Sequence, residues 1–224
     1  MNKQFLKLIL LSIFLVLNLV PMNAMAEANG VEPVPVPALA QKNCLTPSMV
    51  DLKWNLRKLW IDHVRWTRQY IVSAIAGLED QQQVLARLLK NQQDIGDAIK
   101  PYYGEAAGNK LAEILKEHIL LAGKVLDAAK AGNQADLEKY NKEWHRNADD
   151  IADFLSKANP NWSKKELQDM FYEHLKLITD DVTARLHKDW DGSISAYDKG
   201  IDHMIMFADV LADGIIKQFP NKFK

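Results

Sequence analysis

The sequence predicts an all-α protein, an antiparallel helical bundle of about six helices. Three observations carry this. Apolar residues recur at spacings of three and four from Thr46 to Phe219, and no stretch of period two holds up. Helix start and stop signals punctuate the chain at regular intervals. Short loops between successive helices make neighbours antiparallel.

The first helix opens at Thr46-Pro47, a capping hydroxyl followed by proline at the first helical position, and Gly77 ends it. The second runs from about Asp80 to Ile99, with Pro101 closing it. The third starts near Gly104-Glu105 and stops before Gly132, and the fourth begins near Asn133 and ends by Ala158. The fifth has the sharpest start. Ser163 caps, Glu166 completes a capping box, and Trp162 and Leu167 stand at the two positions of a hydrophobic staple. The sixth runs from about Gly192 to Lys217, before Phe219-Pro220.

The helix pairs repeat. Glu117-His118-Ile119 and Glu173-His174-Leu175 lie 56 positions apart, and Asp62-His63-Val64 precedes the first of them by 55. At the same offset Leu111 matches Leu167, Leu115 matches Phe171, and Asn147 falls opposite His203. Three αα-hairpins from a duplicated unit would produce this pattern, and so would helical periodicity alone.

Residues 1–26 read as a signal peptide: Lys3 and Lys7, then the 13 apolar-rich residues Leu8 to Val20, then a cut after Ala24-Met25-Ala26. The apolar run is too short to span a bilayer comfortably, so no stable transmembrane span is expected after cleavage. Residues 27–45 read as a Pro-rich tether around Pro33, Pro35 and Pro37, and residues 46–219 as the helical domain. The expected location is exported, either secreted or associated with the cell envelope. Net charge is −1 with no basic stripe, which excludes a nucleic-acid partner. The single cysteine, Cys44, cannot form an intramolecular disulfide, and its context is not that of a lipid anchor.

Function rests on five polar residues at mid-helix positions of apolar faces: His63, His118, Asn147, His174 and His203. Each must find a partner or cost stability. One reading is a central pocket for a small ligand. A second makes His63, His118, His174 and His203 ligands of a transition metal such as zinc, copper, nickel or iron, with Asp62, Glu117 and Glu173 orienting them. The plain reading is satisfied core histidines that lock helix register, in a scaffold or surface-interaction protein. Adjacent helix residues point about 100 degrees apart, so a histidine and its preceding acid do not face one centre. No Glu-x-x-His, His-Glu-x-x-His or Cys-x-x-Cys motif is present.

An enzyme is the less favoured class, because no nucleophile accompanies a base and orienter. Paired carboxylates with histidine, in a hydrolase-type reaction, are the remaining enzymatic alternative. Arg68 reads as a surface ion-pair partner in preference to an anion site. Asp149, Asp150 and Asp153 read as a solvated face, and His145 and His187 as surface groups.

The stretches LWIDHVRWTRQYI (59 to 71), IKPYYGEAAGNKL (99 to 111), NADDIADFLSKANPNW (147 to 162) and MIMFADVLADGIIKQF (204 to 219) resemble a bacterial family of exported all-helical bundle proteins. The resemblance implies a bacterial exported protein and brings no chemistry with it.

Overall fold

The computed structural model describes residues 44–224. The expected signal peptide and nearly all of the expected tether lie outside the described residues. The described chain is all-α: α1 Pro47–Ala76, α2 Gln81–Ala131, α3 Gln134–Ala158, α4 Lys164–Leu186 and α5 Trp190–Gln218, then a 3-10 turn Pro220–Phe223. No strand occurs among the described residues.

The ends follow local chemistry. Thr46 accepts from the Met49 amide, Asn133 from Asp136 and Ser163 from Glu166, each satisfying an amide with no intrahelical partner. Asp189 does the same for Gly192, so α5 begins at Trp190, two residues before the expected start. Trp162 and Leu167 are both buried, as a staple requires.

Helices two and three of the sequence reading form the single element α2, interrupted at Gly104. Pro101 does not end the helix; its turn continues to Gly104, which has φ 82 and ψ 169, a region that side chains exclude. There the chain reverses. Lys116 donates to Gln93 at 2.8 Å, and Gly96 faces the Gly108 carbonyl and Ala112 so closely that a Cβ would not fit. The two arms of α2 therefore pack on each other through small residues.

Each helix packs on its successor, and α5 returns to α1, closing a ring. Side-chain bonds tie each junction: Gln92 reaches His63, Asn147 reaches Ile114, Tyr172 reaches Asp149, His203 reaches Met170, and Arg57 reaches Asp209. The chain end also packs in, beyond the expected boundary at 219. Phe223 is buried against Tyr102, and its carbonyl accepts from Thr46 Oγ1 at 2.8 Å. Neighbouring Tyr103 donates to Gln218 and accepts from Asn159.

No described helix is long and apolar enough to cross a membrane.

Candidate functional site

Four of the five expected polar residues meet inside the ring. His63 on α1, His118 on the second arm of α2, Asn147 on α3 and His174 on α4 are all at most 3% exposed. The His118 and His174 rings stack with centroids 6.0 Å apart, and those of His174 and His63 lie 5.4 Å apart.

The hydrogen bonds of His118 dictate its tautomer. An indole N–H can only donate, and Trp144 Nε1 lies 3.1 Å from His118 Nε2, which must accept. The ring proton is then on Nδ1, which donates to Asn147 Oδ1 at 2.8 Å. The Asn147 amide in turn donates to the Ile114 carbonyl at 3.2 Å. Both ring nitrogens of His118 are committed, so neither lone pair nor proton is left for a ligand or metal. Burial pushes this imidazole down from its ordinary 6.5 to about 4, despite the opposing Asn147 bond, because a charged ring would lose its hydration.

His63 and His174 are less completely served. Gln92 Nε2 lies 3.3 Å from His63 Nδ1, and also 2.9 Å from the Leu88 carbonyl and 3.1 Å from Asn91 Oδ1. Three acceptors fix the amide orientation but share two hydrogens. His63 Nδ1 therefore accepts, and its Nε2–H points at His174 Nε2 across 3.5 Å. The His174 proton then sits on Nδ1, which has no partner among the described residues. Gln92 Oε1, Trp60 Nε1 and Thr67 Oγ1 are likewise buried and unpartnered among them. Burial, then the neighbouring His118, lowers His63 to about 3, and burial lowers His174 well below its ordinary value.

The cluster has a chamber beside it. One helical turn beyond His63, His118 and His174 stand Thr67, Ala122 and Ile178, and all three line a cavity of about 100 Å³. Trp144 lines the same cavity while its indole N–H holds His118. The remaining walls are mostly apolar, including Ile71, Leu88, Ile119 and Leu126. Thr179 and Thr183 are exposed, which places the mouth beside α4.

The other expected residues lie elsewhere. His203 is absent from the cluster; it bonds the Met170 carbonyl at 2.8 Å and borders a surface groove between α4 and α5. The preceding acids face outward. Asp62 pairs with Lys58, Glu117 pairs with Arg146, and Glu173 is exposed. Among the described residues, no group of three or more His, Cys, Asp and Glu side chains is placed to hold a metal ion.

Arg68 is an ion-pair partner, and a largely buried one: it bonds Asp181 and Ser193 between α1, α4 and α5. Asp149, Asp150 and Asp153 pair with surface neighbours. His187 is exposed, and His145 is half-buried and bonds the Asn141 carbonyl.

Gln92, Asn91 and Thr67 escaped the sequence reading. Gln92 is one of five consecutive polar residues, Lys90 to Asp94, and only its helical spacing from Leu88, Ile95 and Ile99 marks it as inward.

Comparison of the chain with protein-family models, with curated proteins and with solved structures finds no match.

Proposed function

We propose that this protein binds a small, largely apolar molecule in the cavity beside the imidazole cluster, without turning it over. The observation that carries the reading is the cavity itself, where a buried hydroxyl, that of Thr67, has no partner among the described residues. Native cores contain few voids larger than a water molecule. A dry aliphatic cavity of roughly 150 Å³ takes benzene or xenon. About 100 Å³ suits a small ring or a short alkyl chain whose remainder passes out through the mouth. The Trp144 ring lines the cavity and joins it to the imidazole cluster through its bond to His118, and Thr67 offers one hydrogen bond. A carboxylate-dependent hydrolytic reaction draws no support from this site, since Asp62, Glu117 and Glu173 face away from it.

The experiment is ligand-detected NMR with phenol on the wild type and on Ala122→Leu, which fills the chamber. Saturable binding that Ala122→Leu abolishes supports the reading. Absence of saturable binding to a folded wild-type protein sinks it.

A second reading is favoured by the complete bonding of His118: the cluster fixes the rotation and level of four helices, and the protein is a scaffold. Three duplicated hairpins belong to this view, since the three acid-histidine triplets bring their imidazoles to one layer. We also carry the exported bacterial family reading as a proposal. A mature chain starting at Glu27, measured by mass spectrometry of protein from the native cell envelope or medium, supports it; an N-terminus still at Met1 rejects it.

A further inference from the structure

We infer that the groove between α4 and α5 is a binding site for a soft monovalent cation, copper(I), with His203 Nδ1 and the thioethers of Met170 and Met206 as ligands. The site is separate from the cavity described above.

The first support is the state of His203. Its Nε2 lies 2.8 Å from the Met170 carbonyl, an acceptor, so Nε2 carries the ring proton. In the neutral ring Nδ1 then carries the free lone pair, and it has no hydrogen-bond partner among the described residues. A ring held through one N–H by a backbone carbonyl, with the other nitrogen free, is the arrangement typical of metal-bound histidine. Among the clustered imidazoles, by contrast, His118 has both nitrogens occupied.

The second support is the company it keeps. Met206 follows His203 by three positions on α5, so the two side chains share one face of the helix. Met170 comes from α4, and its own carbonyl is what His203 bonds. All three residues line the same groove. Met206 is 55% exposed, so its thioether can be reached from solvent.

The third is charge and softness. Glu166 and Asp169 stand at the same groove, and Lys165 there is paired with Asp169, which leaves the Glu166 carboxylate to favour a cation. A donor set of one imidazole and two thioethers selects copper(I) over zinc, calcium or magnesium, because polarisable sulfur matches a soft ion.

The test is anaerobic titration of the full chain with copper(I) against a chromophoric copper(I) chelator. It is done in a Cys44→Ser background, because Cys44 is an exposed thiol that would bind copper(I) by itself. Met206→Leu, Met170→Leu and His203→Gln are compared after circular dichroism confirms that each is folded. One copper(I) per chain is expected, weakened at least tenfold by Met206→Leu and by each of the other two. X-ray absorption should show sulfur and nitrogen neighbours in the Cys44→Ser protein. Loss of all binding on Cys44→Ser, or binding that a folded Met206→Leu variant leaves unchanged, overturns the assignment.

Discussion

Acidification from pH 7 to pH 5 should remove a large part of the protein's stability, through three buried imidazoles. His63, His118 and His174 are neutral in the fold, with the first two pushed down to about 3 and about 4 and the third well below 6.5. In the unfolded chain each returns to about 6.5. Between the two values the unfolded state binds more protons than the folded one, so stability falls as the pH falls. The contribution is intact above about pH 6.5 and is lost progressively below it.

At pH 5 the unfolded rings are almost fully protonated while the folded rings of His63 and His118 are almost fully neutral, which costs about 2 kcal/mol for each of these two. These two give about 4 kcal/mol, and His174 acts in the same direction, against a total stability of roughly 5 to 15 kcal/mol for a domain of this kind. The carboxylates do not blur the window. Asp209, held below its ordinary 3.8 by the Arg57 bond, contributes stability that is lost only as the pH falls towards that lower value. The assay is urea unfolding followed by circular dichroism at pH 7, 6 and 5. The slope against urea should stay constant while the midpoint falls, and unfolding at pH 5 should take up about two protons from His63 and His118, with His174 adding in the same direction. A midpoint flat between pH 7 and pH 5 would refute the reasoning, as would ring resonances of these three histidines titrating near 6.5.

Three further outcomes follow from single groups. Asn147→Leu keeps the volume but orphans the buried His118 Nδ1–H, so it should cost about 1–3 kcal/mol in urea unfolding, and a loss below about 0.5 kcal/mol would contradict the tautomer assigned to His118. Gly104→Ala places a side chain at φ 82, ψ 169, and should destabilise by about 1–3 kcal/mol in thermal unfolding although nothing crowds the position. Asp181→Leu strands the Arg68 guanidinium, which is only 16% exposed, and should cost about 2–4 kcal/mol. Restoring most of that loss with Arg68→Met in the same chain would show that the penalty lies in the stranded charge and not in lost packing.

The amino-acid sequence by itself determined the helices and the inward polar residues. Caps act over three or four positions, so Thr46, Asn133, Ser163 and Gly132 mark helix ends without reference to the rest of the fold. Periodicity acts within one helix, so His63, His118, Asn147 and His174 could be placed on buried faces before any neighbour was known. The same 100-degree rule turned Asp62, Glu117 and Glu173 away from their histidines.

Tertiary structure decided who meets whom. Gln92 and His63 are 29 positions apart, Trp144 and His118 are 26 apart, and His63 and His174 are 111 apart. Contact between them depends on how far each helix slides along and turns against its neighbour, and no local spacing encodes that. His203 satisfies the same apolar-face rule as the others yet lies outside their layer, at the α4–α5 groove. The reversal at Gly104 is of the same kind. Glycine permits φ 82, but the fold-back is held by Gly96, Gly108 and Ala112, whose small size lets the two arms close only after the chain has turned. The cavity too is a tertiary product. It exists because Ala122 stands one turn above His118 where the facing helices supply no larger side chain to fill the gap.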